Sequence, residues 1–285
     1  MQESKHRMFR MLWRGSNLLL VLCATLTIYA IGWEFSVREY LHGFSDAVVP
    51  SESSPEEKVD AILHWMKAGP ERAVAVNPDD LSTRDPETTL NFKQLLDVCG
   101  TATNAFLNLA QSSGLSVRRL LLLTPDRNTK HVVAEVLLDD RWIVVDPTYR
   151  IVMKDAEGRM LSRKDLQNPQ VFAQAITRVP GYPADYDYTK VAHVRLARIP
   201  LEGFRLRRVF DSIYPGWDEA FDWSLLLERK SFLVLFLSAL ATIFLLLWRF
   251  ALGWYADRRL KIPRFHLRRN LLRAGTVFFT TPEIK

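Results

Sequence analysis

The sequence predicts an α+β domain with an antiparallel sheet, flanked by two apolar helices long enough to cross a membrane. Two charge-free apolar runs lie near opposite ends of the 285-residue chain, at residues 17–33 and 231–248. Between them the chain first shows helical periodicity and then three short segments rich in Val, Leu and Ile. The 48% of apolar residues is enough for a packed core and too much for a disordered chain.

Both apolar runs have the length and the flanking residues of membrane spans. At 1.5 Å per helical residue each run covers roughly 26 to 27 Å, close to the hydrocarbon thickness of a bilayer. Aromatic residues that suit headgroup depth flank both runs: Trp13, Tyr29, Trp33, Trp223, Trp248, Trp254 and Tyr255. We therefore expect transmembrane helices at residues 17–33 and 231–250.

The excess of Lys and Arg is concentrated at the two ends of the chain. Residues 1–16 carry a net charge of +3 and residues 249–285 a net charge of +7, which leaves about −4 for the middle of a chain whose total is +6. The positive-inside rule then places both ends in the cytoplasm. This distribution predicts a two-pass protein of the inner (plasma) membrane, with a basic cytoplasmic tail at residues 251–285 and an extracytoplasmic, periplasmic domain at residues 34–230.

Each of these segments also has an alternative interpretation. Ala30-Ile31-Gly32 is a loose cleavage site, so the first run could be a signal peptide that is removed. The second run could be a helix buried in a soluble core. The basic tail could suggest nucleic acid, but attraction to anionic lipid beside a membrane span explains it more simply. We expect anionic lipid at the basic tails and no nucleic-acid partner.

Two helices are predicted in the segment between the spans. Residues 34–50 are expected to be a connector, and Ser54-Pro55-Glu56-Glu57 then begins a helix that Gly69-Pro70 ends. Residues 70–90 are rich in Pro, Asp and Thr and predict a surface loop. The second helix covers residues 99–113, with Gly114 just past its end. One stripe of this helix is apolar: Ala102, Ala105, Phe106, Leu109 and Ala110.

Three strands follow, at residues 118–124, 130–138 and 141–146. If Asp139-Asp140 forms a two-residue hairpin turn, Leu138 faces Arg141 and the rest of the pairing follows. One face of the hairpin is then wholly apolar and must be buried: Val132, Ala134, Val136, Leu138, Ile143 and Val145. The other face presents His131, Glu135, Trp142 and Asp146. On that face His131 lies diagonally opposite Asp146, within reach of its side chain.

Cysteine usage directs attention to one residue. The chain has two cysteines, Cys23 in the first apolar run and Cys99 alone in the middle segment. An exported cysteine without a partner is either an inert core residue or a nucleophile. Cys99 opens a predicted helix, where the helix dipole and the free backbone N–H groups stabilise a thiolate. A nucleophilic thiol also needs a base, and a carboxylate beside an imidazole provides an oriented one.

The motifs around these residues resemble the core of the transglutaminase-like superfamily. They are VCGTA at residues 98–102, HVVAEV at 131–136 and RWIVVDPT at 141–148, in the family's order of Cys, His and Asp. The likeness covers roughly residues 55–150, including the leading helix, and implies a papain-like core. It implies that Cys99 is the nucleophile, His131 the general base and Asp146 the orienting acid. The backbone N–H of Cys99, or less strongly Gln94, would stabilise an oxyanion.

The resemblance implies a membrane-anchored cysteine-dependent acyl transferase, or an amide or peptide hydrolase, that acts on peptide or protein amides through a thioester. Transfer and hydrolysis use the same residues. The alternative is a non-catalytic scaffold or binding module in a polysaccharide or secretion assembly of the cell envelope. A two-span sensor ranks last, because a tail of about 37 residues is too small for an output domain.

The remaining polar residues predict no second site. We expect no cofactor and no metal, because no Cys, His, Asp or Glu pair has ligand spacing with a second pair behind it. Glu135 is expected to pair with a nearby arginine or backbone group. Five further residues are expected to be structural: His64, His193, Tyr182, Tyr186 and Tyr188.

Overall fold

The computed structural model describes residues 2–73, 81–126, 128–193, 208–209, 212–215 and 223–261. The helices are α1 (Gln2–Val48), α2 (Pro55–Ala68), α3 (Pro86–Thr89), α4 (Cys99–Ser112), α5 (Arg163–Leu166), α6 (Pro169–Ile176), α7 (Trp223–Glu228) and α8 (Lys230–Tyr255). Short 3-10 helices cover Leu81–Arg84 and Lys93–Asp97, and a π-helical turn covers Ala256–Leu260. The strands are β1 (Val117–Leu123), β2 (Thr129–Leu138), β3 (Arg141–Asp146), β4 (Ile151–Val152) and β5 (Val191–Ala192).

The chain forms two compact units, one of residues 1–28 with 236–285 and one of residues 29–235. In the first unit two helical segments pack side by side. The hydroxyls of Thr27 and Thr242 lie 3.2 Å apart, and the guanidinium of Arg249 lies 4.4 Å from the ring centre of Trp13. Residue numbers thus rise along one helix and fall along the other, so the two are antiparallel.

The antiparallel helices turn large apolar side chains outward. Exposed examples are Leu18, Val21, Leu22, Ile28, Phe236, Leu237, Phe244, Leu247 and Phe250. Both α1 and α8 are long and apolar enough to cross a membrane. Only 11% of the most apolar window of the second helix is buried, so the alternative that the second run is a buried core helix is wrong. Four arginines of the expected basic tail lie outside the described residues: Arg264, Arg268, Arg269 and Arg273.

Residues 34–50 were predicted as a connector, and this prediction is wrong for residues 34–48, which continue α1. Val37 and Leu41, one helical turn apart, are buried in the same core cluster as α2 and α4. The Asn91 amide donates to the Tyr40 hydroxyl at 3.2 Å. Charged residues interrupt the apolar run here, but the apolar positions keep the helical period and pack on the domain.

The predicted helix ends are present in the second unit. Ser54 and Glu57 form a reciprocal capping box at the start of α2. Gly114, with φ of 85°, follows α4 in the left-handed region that glycine tolerates best. The predicted loop at 70–90 is only partly a loop, since Leu81–Arg84 and Pro86–Thr89 are short helices. Residues 74–80 of that stretch lie outside the described residues.

The sheet is antiparallel, with strand order β4-β3-β2-β1-β5. The predicted hairpin register is confirmed, since Leu138 pairs with Arg141 and Ala134 with Val145. Asp139 and Asp140 both have positive φ, at 44° and 61°, as a two-residue type I′ turn requires. The turn places His131 and Asp146 on the same face of the sheet.

Both faces of the sheet are covered. The predicted apolar face packs on α2 and α4. The face that carries His131 is covered by a second apolar cluster from the chain after β3, which includes Met153, Leu161, Phe172, Tyr182 and Tyr188. The expectation that this face is presented openly is therefore incorrect for His131, Glu135 and Asp146, all of which are buried.

Candidate active site

The start of α4 is held firmly against strand β2. Every residue from Thr101 to Ala110 is buried, so α4 runs through the interior of the domain. The Thr103 hydroxyl donates to the carbonyl oxygen of Val132 at 3.0 Å, and the Thr101 hydroxyl donates to the carbonyl oxygen of Leu95. Cys99, the first residue of the helix, remains partly exposed. Its sulfur is therefore positioned by rigid elements and is still accessible.

The structure brings Cys99, His131 and Asp146 together in one row. His131 Nε2 lies 2.7 Å from Asp146 Oδ2, and the Cys99 and His131 side chains are close enough to shift each other's pKa. Because Nε2 faces the carboxylate, Nδ1 is the nitrogen left to meet the sulfur. Exposure decreases along the row, from the partly exposed thiol through a nearly buried imidazole to a carboxylate that is 0% exposed.

The Asp146 carboxylate is held in place by four hydrogen-bond donors. Oδ1 accepts from the backbone N–H groups of Thr148 at 3.0 Å and Tyr149 at 3.4 Å. Oδ2 accepts from the Tyr182 hydroxyl at 3.0 Å as well as from His131. A buried carboxylate needs such donors to stay charged. Its charge is thus available to orient the imidazole and to stabilise its protonated form.

The thiol and the imidazole shift each other's pKa in opposite directions. Burial raises the pKa of Cys99, but the hydrogen bond and positive charge of His131, with the N–H groups of Val132 and Gly100, outweigh it and lower the pKa overall. Burial lowers the pKa of His131, but its bonds to Asp146 and Cys99 and their charges raise it to about 9. The lowered pKa of Cys99 and the raised pKa of His131 both favour a thiolate beside an imidazolium over the neutral pair.

Three tyrosines surround this row, and their part in it was not predicted. The Tyr186 ring stacks on the His131 ring, with centres 4.4 Å apart and planes 10° apart. The Tyr182 hydroxyl, which donates to Asp146, also meets the Tyr188 hydroxyl at 3.0 Å. In the sequence these tyrosines are recognisable only as three within seven residues. Their spacing has no helix or strand period, so it does not connect them to the hairpin.

The other residues considered in the sequence have surroundings of their own. Glu135 pairs with Arg118 at 2.7 Å, in agreement with the structural role expected for it. His193 Nδ1 lies 2.9 Å from the carbonyl oxygen of Arg119, inside the fold. His64 is exposed on α2, and Gln94 is exposed in the 3-10 helix Lys93–Asp97. The first-turn N–H groups of α4 begin at Cys99 itself, so they remain the donors expected to meet an oxyanion.

Tyr182→Phe is expected to change the titration of Cys99. Without the hydroxyl, Asp146 loses one hydrogen-bond donor, and its negative charge acts more strongly on the His131 imidazolium. The thiolate should therefore form at lower pH, by up to about one pH unit. Loss of the bond should also lower stability by about 0.5–1.5 kcal/mol. The measurement is the rate of Cys99 alkylation by iodoacetamide against pH, with thermal unfolding alongside. A lowered melting temperature with an unchanged alkylation profile would show that Tyr182 is structural only.

Comparison with protein families matches residues 42–147 to the transglutaminase-like superfamily. The matched segment runs from the end of α1 through α2, α4 and the first three strands, and it contains Cys99, His131 and Asp146. No curated protein and no solved structure matches the chain.

Proposed function

Residues 42–147 belong to the transglutaminase-like superfamily, and on this premise we propose that the protein is a membrane-anchored acyl transferase or amide hydrolase that uses Cys99 as its nucleophile. The observation that carries the proposal is the row of Cys99, His131 and Asp146, in which His131 hydrogen-bonds Asp146 and the sulfur lies at a helix N-terminus. Such a row supplies the activated nucleophile and the oriented base that acyl transfer requires.

In the proposed acylation step, the Cys99 thiolate attacks the carbonyl carbon of a peptide or protein amide. The C–S bond forms as the carbonyl π electrons move to oxygen, and N–H groups at the start of α4 stabilise the oxyanion. The His131 imidazolium then gives its proton to the departing nitrogen, and the C–N bond breaks. The products are a free amine and a thioester on Cys99.

In the second step, water or a primary amine attacks the thioester. His131, now neutral, takes the proton from the attacking group, and the thiolate leaves to restore the starting ion pair. Water gives hydrolysis and an amine gives transfer. Because the tyrosines cover the imidazole and the carboxylate, the substrate approaches at the sulfur, and access of water or amine there decides between the two outcomes.

The proposed placement is in the inner membrane, with both chain ends in the cytoplasm and residues 34–230 outside it. Its support is the antiparallel packing of the two long helices, which brings the start of α1 and the end of α8 to one side, and the net charges of +3 on residues 1–16 and +7 on residues 249–285. Peptide or protein amides, together with envelope polymer machinery, are then the partners expected outside the cytoplasm. Anionic lipid is the partner expected at the basic tails.

The test is labelling of the full-length protein, purified in detergent, with a fluorescent iodoacetamide at pH 6.5. We expect fast labelling at Cys99 in the wild type and none in Cys99→Ser. Cys23→Ser is the matched control, because it removes the other cysteine and should leave the fast phase unchanged. Incorporation of a fluorescent primary amine into casein, compared with release of ammonia, then separates transfer from hydrolysis. Slow labelling of folded wild-type protein would contradict the enzymatic role and favour a scaffold.

A further inference from the structure

A cavity of about 310 Å³ lies at the opposite end of α4 from Cys99. Its walls come from α1, from the last turn of α4 and from the region of α7. The polar residues that line it are Arg38, His42, Gln111, Ser112 and Arg229. The volume is at the lower end of the range for small-ligand sites. The cavity is separate from the thiol row, since α4 extends roughly 20 Å between the two ends.

Two arginines at this cavity share one carboxylate. Arg229, with a side chain only 6% exposed, donates Nη1 to Glu34 at 3.4 Å and Nη2 to Asn108 at 2.7 Å. Arg38 donates Nε to the same Glu34 oxygen at 2.9 Å. Asp85, which also acts on Arg229, is paired with Lys230 at 3.5 Å, so Arg229 and Arg38 share the one remaining carboxylate and the surplus positive charge is at the cavity wall.

Arg38 still has donors to offer. Its side chain is 54% exposed, and its two terminal nitrogens make no hydrogen bond to any residue within the part of the chain that the structure describes. A guanidinium with free terminal nitrogens can bind the oxygens of a phosphate group in a bidentate manner. The buried contacts of Arg229 with Glu34 and with Asn108 hold the wall beside Arg38 in place.

The C-terminal end of α4 carries partial negative charge, which opposes an anion. Here its carbonyl groups already have donors. The carbonyl oxygen of Leu109 accepts from the N–H of Ser113 at 2.9 Å, and that of Gln111 from the N–H of Gly114 at 3.1 Å. The Lys58 ammonium donates to the carbonyl oxygen of Ser113 at 2.8 Å. The full charges of the arginines therefore dominate the field in the cavity.

The cavity lies close in sequence to both apolar runs. Arg38 comes five residues after Trp33, which is roughly 7.5 Å along a helix, and Arg229 comes two residues before Ser231. With the membrane placement proposed above, on which this step depends, both arginines are at headgroup depth. We propose that the cavity binds the phosphodiester of an anionic phospholipid headgroup through the terminal nitrogens of Arg38.

The test uses the full-length protein in a non-ionic detergent and follows thermal unfolding by tryptophan fluorescence. The probes are dihexanoyl phosphatidylglycerol, dihexanoyl phosphatidylcholine and glycerol 3-phosphate. We expect phosphatidylglycerol to raise the melting temperature saturably and the other two to do so only weakly. Arg38→Gln should weaken the apparent affinity about tenfold, as expected for loss of a charge-assisted contact.

Arg159→Gln is a matched control. Arg159 is also an exposed arginine that donates Nε to a carboxylate four residues away at 2.9 Å, that of Asp155, but it lies outside the cavity. The Arg159→Gln variant should bind phosphatidylglycerol as the wild type does.

Equal binding by wild type and Arg38→Gln would overturn the proposal and assign the lipid to the basic tails. Equal responses to phosphatidylcholine would overturn the selectivity for an anion, and equal responses to glycerol 3-phosphate would overturn the lipid source. Because no readout uses Cys99, these outcomes are independent of the catalytic proposal.

Discussion

His131→Ala is expected to reduce acylation of Cys99 by roughly 10²–10⁴-fold at pH 7, the usual contribution of a positioned general acid or base. The imidazolium that holds the thiolate and protonates the leaving nitrogen is then absent. Without it, a thiol with a pKa of about 8.5 is only about 3% ionised at pH 7. The measurement is burst kinetics with a peptide p-nitroanilide or activated ester, with thermal unfolding confirming that the variant is folded.

The two shifted pKa values also predict how the rate of Cys99 acylation depends on pH. In the wild type the ion pair dominates between the lowered pKa of Cys99 and the pKa of about 9 at His131. Acylation should therefore rise as Cys99 ionises, stay level, and fall as His131 loses its proton near pH 9. In His131→Ala the rate should keep rising until the pH passes the pKa of the unassisted thiol, about 8.5, and should show no fall near pH 9. His64→Ala removes an exposed histidine and should keep the wild-type profile. The same loss in both variants would argue against a specific role for His131.

Glu228→Ala is expected to destabilise the domain by about 3–5 kcal/mol, because it removes the carboxylate from a buried charge cluster. Glu228 Oε1 accepts from Arg119 at 2.9 Å and from Arg84 at 3.4 Å, and Glu228 Oε2 accepts from Asn104 at 2.5 Å. The Arg119 side chain is 1% exposed, so water cannot replace the lost partner. Thermal unfolding in detergent should show a decrease of roughly 10 °C in melting temperature.

The control for this variant is an exposed ion pair. Arg141 lies 3.2 Å from Asp165, and both side chains are partly in solvent, so Arg141→Ala should cost less than about 1 kcal/mol. Burial raises the pKa of Glu228, but the charges and hydrogen bonds of Arg119, Arg84 and Asn104 lower it to about 2 overall. Its stabilising effect should therefore persist above pH 4.5 and decline only as the pH falls toward 2. A melting temperature unchanged by Glu228→Ala would show that the cluster contributes no net stability.

The parts of the site that could be predicted from sequence depend on neighbouring residues. A two-residue Asp-Asp turn sets the register between β2 and β3, and that register brings His131 beside Asp146. The position of Cys99 followed from the apolar period of its helix. These local rules act over at most a few tens of residues, and no later segment was needed to apply them.

The parts that could not be predicted come from distant or irregular segments. Tyr182 reaches Asp146 across 36 residues, over a stretch that contains only the two-residue strand β4 and the short helices α5 and α6. Glu228 reaches Asn104 across 124 residues. A lone polar residue gives no sequence indication of its partner at such separations. Continuation of α1 through residue 48 was missed because charges hid the apolar positions Val37 and Leu41.

The residues that lead into α8 are bonded to the domain interior one after another. Glu228 bonds to Arg119, Arg229 to Asn108, Lys230 to Asp85 and Ser231 to Glu34. A recombinant fragment that ends before Trp223 would lack these four residues. One that begins after Glu34 would lack Glu34 and the part of α1 before it. A fusion of this domain to a different membrane anchor would have to include both of these segments.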